Sequence, residues 1–369
     1  MSERIYELEY VWLDGYERQN LRSKTRYIPL SPQDRNIELN DIPEWGCDGS
    51  STSQADVSSS DMILKPIRLY TSKEDENRGY VLCEVYNTKG KPHISNTRSD
   101  LKRVLDSHDN SDGILLGLEQ EYVFIEPKQQ QPWQWPTRWD EEEKMEKTFF
   151  PGPQGRYYCG TGNFVRGRDV VREHARRCHD IGLKLTGTNA EVMLSQWEYQ
   201  LGPQSPLEIS DDLWMARYIY EQLAEERGFA VETYPKLFRD NDDWAGTGCH
   251  INFSTPTLRE AGDNKRYIDD LLVGVSEDHK KHIKAYGSGN EFRLTGKNET
   301  CHIDSFEWGD SDRTVAMRIP HGANYIEDRR PAGSIDPYEA IGALVDSVLR
   351  VDAEISTKSK KTKKEKATV

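Results

Sequence analysis

The run Gly113–Ile125 (GILLGLEQEYVFI) limits what this chain can become more than any other segment. Its β-branched and aromatic content marks a strand, and two glutamates, Glu119 and Glu121, sit within it. Residues i and i+2 of a strand share a face, so both carboxylates point the same way. Like charges at that range repel unless a cation stands between them. Taken alone, such a pair reads most simply as two exposed glutamates on a sheet edge.

The chain carries more groups of this kind. Glu191 lies in GTNAEVM, Glu198 in QWEYQ, Glu327 directly before DRRP, and His250 in GTGCHINFST. Five glutamates and one histidine make a hard, oxygen-rich set that suits Mg²⁺ or Mn²⁺ better than structural zinc. Arg293, Arg313, Arg318, Arg329 and Arg330 fall in the same half. Guanidinium groups grip carboxylates and phosphates through paired hydrogen bonds, and a metal with arginines is the recurring equipment of phosphoryl transfer. There is no GxxxxGK[ST] loop, no HRD…DFG set and no GxGxxG after a strand, which disfavours the common nucleotide folds. Singly, each arginine fits a surface ion pair, and His250 fits a satisfied core residue.

The surroundings predict an α+β chain of two parts and a tail. In residues 1–105, strands are expected at Tyr6–Trp12, Lys24–Tyr27, Met62–Leu69 and Tyr80–Tyr86, giving a small, mostly β domain. In 106–356, strands at Ile114–Ile125, Leu183–Met193, Cys249–Phe253 and Thr314–Ile319 alternate with helices. Those helices cover Gly167–Gly182, a stretch capped by Ser210 and closed by Gly228, and Pro337–Leu349. Residues 127–147 read as a surface insertion. Residues 357–369 hold six lysines and one glutamate, a basic end expected to be solvated and disordered. The formal charge is −14, and the tail's +5 leaves −19 on the rest, which makes nucleic acid a poor partner. No apolar run is long enough for a membrane span, the first ten residues lack signal-peptide character, and the six cysteines form no CxxC pair. A cytoplasmic protein with reduced thiols is the expectation.

The motifs, taken in order, resemble the class II glutamine synthetase family. They are Val11–Gly15, Trp45–Thr52, Gly117–Tyr122, Pro151–Gly155 with Tyr157–Gly160, Gly187–Met193, Gln196–Gln200, Gly248–Thr255, Arg293–Gly296 and Tyr325–Pro331. The resemblance spans about residues 6–350. It implies a β-grasp-like N-terminal domain and a catalytic domain built on a curved antiparallel sheet with helices. It also implies ATP as co-substrate, glutamate and ammonium as substrates, and two to three Mg²⁺ or Mn²⁺ ions per site. By the same resemblance Glu121, Glu191 and Glu198 would hold the metal near glutamate and ammonia, and Glu119, His250 and Glu327 the metal on the ATP phosphates. Arg293 and Arg313 would clamp glutamate and the transferring phosphoryl group. Gly246, His250 and Arg329 would border the substrate, and Asn252, Ser254, Arg259, Arg318 and Tyr325 the nucleotide. Asp48, Ser51, Tyr158 and Glu299 would form the ammonium site, with Asp48 taking the proton and Glu299 riding a mobile flap. The family assembles as a decamer of two pentameric rings with sites between subunits.

The implied chemistry has a physical rationale. A carboxylate does not react with ammonia directly, because oxide would have to leave; phosphorylation makes a leaving group, and metals with arginines spread the charge. Ala245 stands where the family usually has asparagine, and Asn298 replaces a histidine beside the flap glutamate. Two other readings stay open: a γ-glutamyl ligase for another amine, and a structural relative that has lost catalysis. The complete ammonium set weighs against the first, and the complete set of six metal ligands against the second.

Overall fold

The computed structural model describes residues 4–30, 37–128, 131–140, 142, 144–148, 155–239, 244–262 and 264–367. Strands β1 (Arg4–Leu13), β2 (Leu21–Leu30), β3 (Trp45–Asp48), β4 (Asp61–Thr71) and β5 (Arg78–Asn87) form a first sheet in the order β2-β1-β5-β4-β3. β1 and β5 run parallel and the other neighbours antiparallel, the mixed pairing of a β-grasp-like sheet. Alternation along β1 buries both faces. Tyr6, Leu8, Tyr10 and Trp12 join a small core with Leu64, Val81 and Val85, while Val11 and Leu13 join the main core with Tyr70, Tyr80 and Leu82.

Helix α1 (Thr97–Asp106) leads to β6 (Leu115–Glu126), the central strand of a second, curled sheet. Short strands β7 (Gln131–Pro132), β8 (Thr137–Asp140) and β9 (Met145–Thr148) follow. Then come α2 (Arg168–Asp180), β10 (Leu185–Ala190), β11 (Gln196–Gln204), α3 (Pro206–Arg227), β12 (Ala230–Glu232) and β13 (Cys249–Ser254). The chain ends with α4 (Pro256–Ala261), α5 (Lys265–Ser276), α6 (His279–Ala285), β14 (Trp308–Asp310), β15 (Met317–Ile319), β16 (Ile326–Asp328) and α7 (Pro337–Ala367). The sheet runs β10-β11-β6-β13-β16-β15-β14, with β7 and β12 also on β6. Only the β14–β15 pair is parallel among these.

Three details differ from the sequence expectations. Helix α3 starts at Pro206, not after Ser210: Ser205 caps it in a box with Glu208, and the Ser210 hydroxyl donates to the Pro206 carbonyl inside the helix. The 127–147 stretch is anchored, since Trp135 is buried against Phe238 and Trp244 and its indole N–H donates to the Leu194 carbonyl. Helix α7 continues to Ala367 where composition suggested a disordered end. Lysine, alanine and glutamate are good helix formers, and extending a helix already nucleated in the core is far easier than starting one. Residues 129, 130, 141 and 143 of the 127–147 stretch and Pro151–Gln154 of the fourth motif lie outside the described residues.

Candidate active site

Along β6 the side chains alternate as the period of two requires. Leu116, Leu118, Gln120 and Tyr122 enter the core, and Glu119 and Glu121 occupy the other face. The edge-strand reading is thereby excluded, because β6 lies between β11 and β13. Antiparallel register recruits the rest: His250 stands opposite Glu119, Glu198 opposite Glu121, Glu327 opposite Asn252, and Arg318 opposite Glu327. Paired residues share a face, so a scattered set in sequence becomes one patch.

His250 is the hub. Its Nδ1 lies 3.4 Å from Glu119 and 3.4 Å from Glu327, and its Nε2 lies 4.0 Å from Glu121. Among the described residues, Glu119, His250 and Glu327 bring three donor atoms within 4.8 Å of one another. Glu327 also accepts from Arg318 at 2.6 Å and Arg329 at 2.5 Å. Burial works against its ionisation, but His250 and the two guanidinium groups hold its carboxyl well below the usual range. Burial and Arg329 oppose protonation of His250, whereas contacts with Glu119 and Glu327 win and raise its pKa. Arg293, which can only donate, stands 3.0 Å from Nε2 and so favours the neutral imidazole with Nε2 accepting, in opposition to the pull of Glu119 and Glu327 toward the protonated ring. Arg293 also donates to the carbonyls of Arg329 and Arg330. This close approach needs Gly248, where a Cβ would meet Arg293 Nη2 at 2.5 Å and His250 Nε2 at 2.8 Å.

Glu191 and Glu198 are held differently. Both are buried, and their donors are neutral: Asn189 and the Val192 N–H for Glu191, and Gln200 for Glu198. Burial, then Glu121 and Glu198, push Glu191 up to about 9; burial, then Glu119 and Glu121, push Glu198 up to about 8. Glu121 accepts from the Gly248 N–H at 2.7 Å. A cavity of about 70 Å³ opens here, and Glu121, Glu191, Gly246, His250, Arg293, Glu299 and Arg329 line it together with Ala245 and Asn298. Only glycine fits at 246, since a Cβ would fall 1.8 Å from the Pro235 carbonyl oxygen. A much larger cavity, about 990 Å³, lies between the first sheet and the back of the second, on the opposite face of β6 from the converging carboxylates.

The remaining expected residues divide into near and far. Asn252 donates to Glu119 at 2.7 Å and leaves its own carbonyl oxygen buried without a partner. Ser254 donates to the Asn324 carbonyl, and Arg259 to the carbonyls of Ser254 and Gly113. Tyr325 is partly exposed; burial first, then Glu119 and Glu327, raise its phenol pKa. Tyr158 is exposed yet near enough to Glu191 and Glu198 for their charge to help raise its phenol, after burial and Cys159. Glu299 takes a left-handed backbone (φ 61°), as does Asn298 (φ 53°), and its carbonyl accepts from Arg329. Arg313 stands on an exposed loop, outside the cavity wall. Asp48 and Ser51 are further removed: they sit at the end of β3, where Ser50 and Ser51 hydrogen-bond the Asp48 carboxylate and hold it down at about 2.

Sequence reasoning missed several supporting groups. Gln200 lies two residues from Glu198 on one strand face, a spacing that could have revealed it. Gln196, which donates to the Gly246 carbonyl, and Arg217, which reaches Gln120 from α3, depend on tertiary contacts that local sequence does not show.

Comparison with known proteins points one way. A family model described as glutamine synthetase, catalytic domain, matches residues 95–283. Chloroplastic glutamine synthetase of Chlamydomonas reinhardtii is 39% identical over 362 residues, covering 93% of this chain and 90% of that protein. Glutamine synthetase of Saccharomyces cerevisiae is 41% identical over 349 residues, covering 92% and 88%. A cryo-electron-microscopy structure of Plasmodium falciparum glutamine synthetase shares the fold, with a TM-score of 0.68 at 16% identity over 94% of this chain and 72% of that one.

Proposed function

The chain belongs to the glutamine synthetase family, class II, and makes glutamine from glutamate and ammonia with ATP; from that premise we propose how its residues divide the work. The observation that carries this reading is the convergence of four carboxylates and one imidazole on one sheet face, with Glu191 beside them in the cavity wall and, among the described residues, only Glu327 held by two guanidinium groups.

The donor set fits divalent ions: oxygens and one imidazole converge, Asn252 leaves a buried oxygen unpartnered beside them, and Glu191 and Glu198 are crowded by other acids. Glu119, His250 and Glu327 would hold one Mg²⁺ or Mn²⁺, and Glu121, Glu191 and Glu198 another. When bound, such ions draw negative charge off the transferring phosphoryl group. Arg293, with His250 and Gly246 beside it, borders the space for glutamate, and Arg329 closes the far wall. Arg313, swinging in from its loop, joins Arg293 on the phosphoryl group. Asn252, Ser254, Arg259, Arg318 and Tyr325 line the side on which ATP enters. The γ-phosphoryl group passes to the glutamate carboxylate, ammonia attacks the acyl phosphate, and phosphate leaves. Glu299 closes over the intermediate and excludes water.

Asp48, Ser51 and Tyr158, with Glu299, form the ammonium site. A carboxylate held as low as Asp48 attracts a cation but is a poor base. Proton removal therefore calls for Ser50 and Ser51 to release it. Asp48, Ser51, Tyr158 and Arg313 all lie outside the wall of their own chain's cavity, and the first two, at the end of β3 in the other sheet, would serve a neighbour's. The proposed assembly is a decamer of two pentameric rings, located in the cytoplasm. No helix among the described residues is long and apolar enough to cross a membrane.

The test is ADP release with glutamate plus ammonia against a panel of primary amines. Turnover with ammonia and little with bulkier amines is expected, and the reverse order would overturn the substrate. For the shared site, Asp48→Ala and Glu191→Ala chains, each inactive, should regain a substantial minority of activity when co-assembled, because a head-to-tail ring recreates intact pairs at about a quarter of interfaces. Confirmed mixed oligomers without activity would place each site within one chain.

A further inference from the structure

On the back of β6, between the two strand positions that carry Glu119 and Glu121, the side chain of Gln120 is clasped by Arg217 of α3. Arg217 Nε and Nη2 both donate to Gln120 Oε1, at 2.9 and 2.6 Å. Arg217 Nη2 also donates to the Gly333 carbonyl at 2.9 Å, and Nη1 to the Ile335 carbonyl at 2.8 Å. The Gln120 amide donates to the same Gly333 carbonyl at 2.9 Å and to the Glu121 carbonyl at 2.7 Å. The segment 333–335 continues directly from Glu327–Arg330, the stretch that supplies Glu327, Arg329 and the carbonyls gripped by Arg293. One buried fork therefore joins the strand holding Glu119 and Glu121 to the segment holding Glu327.

We propose that the Arg217–Gln120 clasp is a positioning unit that sets the distance between the Glu119–Glu121 pair and the Glu327 segment, and so tunes how tightly the site holds its divalent ions. The inference rests on the reading that those acids are metal ligands. Three physical points support it. Among the described residues no carboxylate hydrogen-bonds Arg217: its ligands are an amide oxygen and two carbonyls, and the charge of Asp336 reaches it only from beyond hydrogen-bond range, so its direct contacts are geometric. The planar guanidinium holds its three acceptors in one fixed fork, a geometry that the rotating ammonium of a lysine does not impose. Gln120 is buried and has no freedom to slide, and it lies between the two carboxylates on the strand, so a shift of its peptide moves both. Groups behind a metal's ligands typically change metal affinity ten- to a hundredfold when removed.

Arg217 and Gln120 also line the cavity of about 990 Å³ behind the sheet, which gives small solutes access to the clasp. The test uses the full assembled chain, with free Mn²⁺ read by electron paramagnetic resonance and folding read by thermal unfolding. Arg217→Ala and Gln120→Met should each weaken Mn²⁺ binding about tenfold or more. Added methylguanidinium should restore the affinity of Arg217→Ala and leave Gln120→Met and Glu121→Ala unchanged. A folded Gln120→Met protein that binds Mn²⁺ as tightly as the wild type would overturn the clasp, and this variant decides the matter if Arg217→Ala does not fold. A wild-type protein that binds no Mn²⁺ would instead overturn the metal reading beneath it.

Discussion

Two groups of acids share one sheet face and are held in opposite ways. Glu327 meets guanidinium groups from Arg318 and Arg329 and the imidazole of His250, so its carboxyl is driven down although burial opposes it. Glu191 and Glu198 are about as buried but receive only amide donors, and burial with neighbouring acids pushes them up to about 9 and 8. The difference teaches that the fold completes one half of the site from its own cations. The other half is left as crowded carboxylates, which become stable as anions only when a cation arrives from outside.

The comparison breaks most visibly at Glu327. Glu327→Ala leaves two largely buried guanidinium groups without their partner, and the metal-free protein should lose about 3–5 kcal/mol of stability as well as its activity. Urea unfolding followed by tryptophan fluorescence checks this, and a loss under about 1 kcal/mol would make the two halves alike. Glu198→Gln should act in the opposite sense. Turnover should fall by roughly two orders of magnitude or more, as for loss of a metal-binding carboxylate. The metal-free protein should be no less stable than the wild type near neutral pH, because glutamine keeps the uncharged form that burial and the neighbouring acids already favour. Thermal unfolding with chelator present separates the two effects.

pH gives a third handle. Groups whose folded pKa is raised bind more protons folded than unfolded, so their contribution to stability falls as pH climbs from the unfolded pKa to the folded one. Glu191 and Glu198 therefore make the metal-free protein less stable between about pH 4.5 and 9, and His250 adds to the decline above about pH 6.5. Glu327, with its folded pKa depressed, contributes stability above about pH 4.5 that is lost on acidification. Unfolding temperature measured across this range should slope downward without metal and flatten with saturating Mn²⁺. Parallel curves would show that the acids are not what the ion relieves.

Much of this contrast was legible before the fold. Glu119 and Glu121 could be placed on one face from the period of a strand alone, and the structure agrees. Register could not be read: nothing local says that Glu198 faces Glu121 or His250 faces Glu119. Strand β11 went unmarked although Gln196–Leu201 alternates polar and apolar residues, its Trp197, Tyr199 and Leu201 entering the main core while Glu198 and Gln200 share the other face. Helix α1 went unseen because its apolar residues are few, and Ser210 imitated a cap that Ser205 supplies. The charge state of each acid depends on which partners converge, and that is a tertiary fact.

The smallest expected effect adds a neutral donor on the side that lacks cations. Ala245 adjoins Gly246 in the cavity wall, so Ala245→Asn should lower the glutamate KM about fivefold, equivalent to roughly 1 kcal/mol for one hydrogen bond. An unchanged or higher KM would mean that the wall has been rebuilt around the alanine.

The central claim is that the uncompensated acids hold an ion of their own. It is tested most directly by calorimetric titration of the metal-free assembled protein with Mn²⁺. The account predicts two or more ions per chain in the wild type and one fewer in a Glu191→Ala/Glu198→Ala double variant, with the site at Glu119, His250 and Glu327 retained. Equal stoichiometry in the two proteins would contradict it.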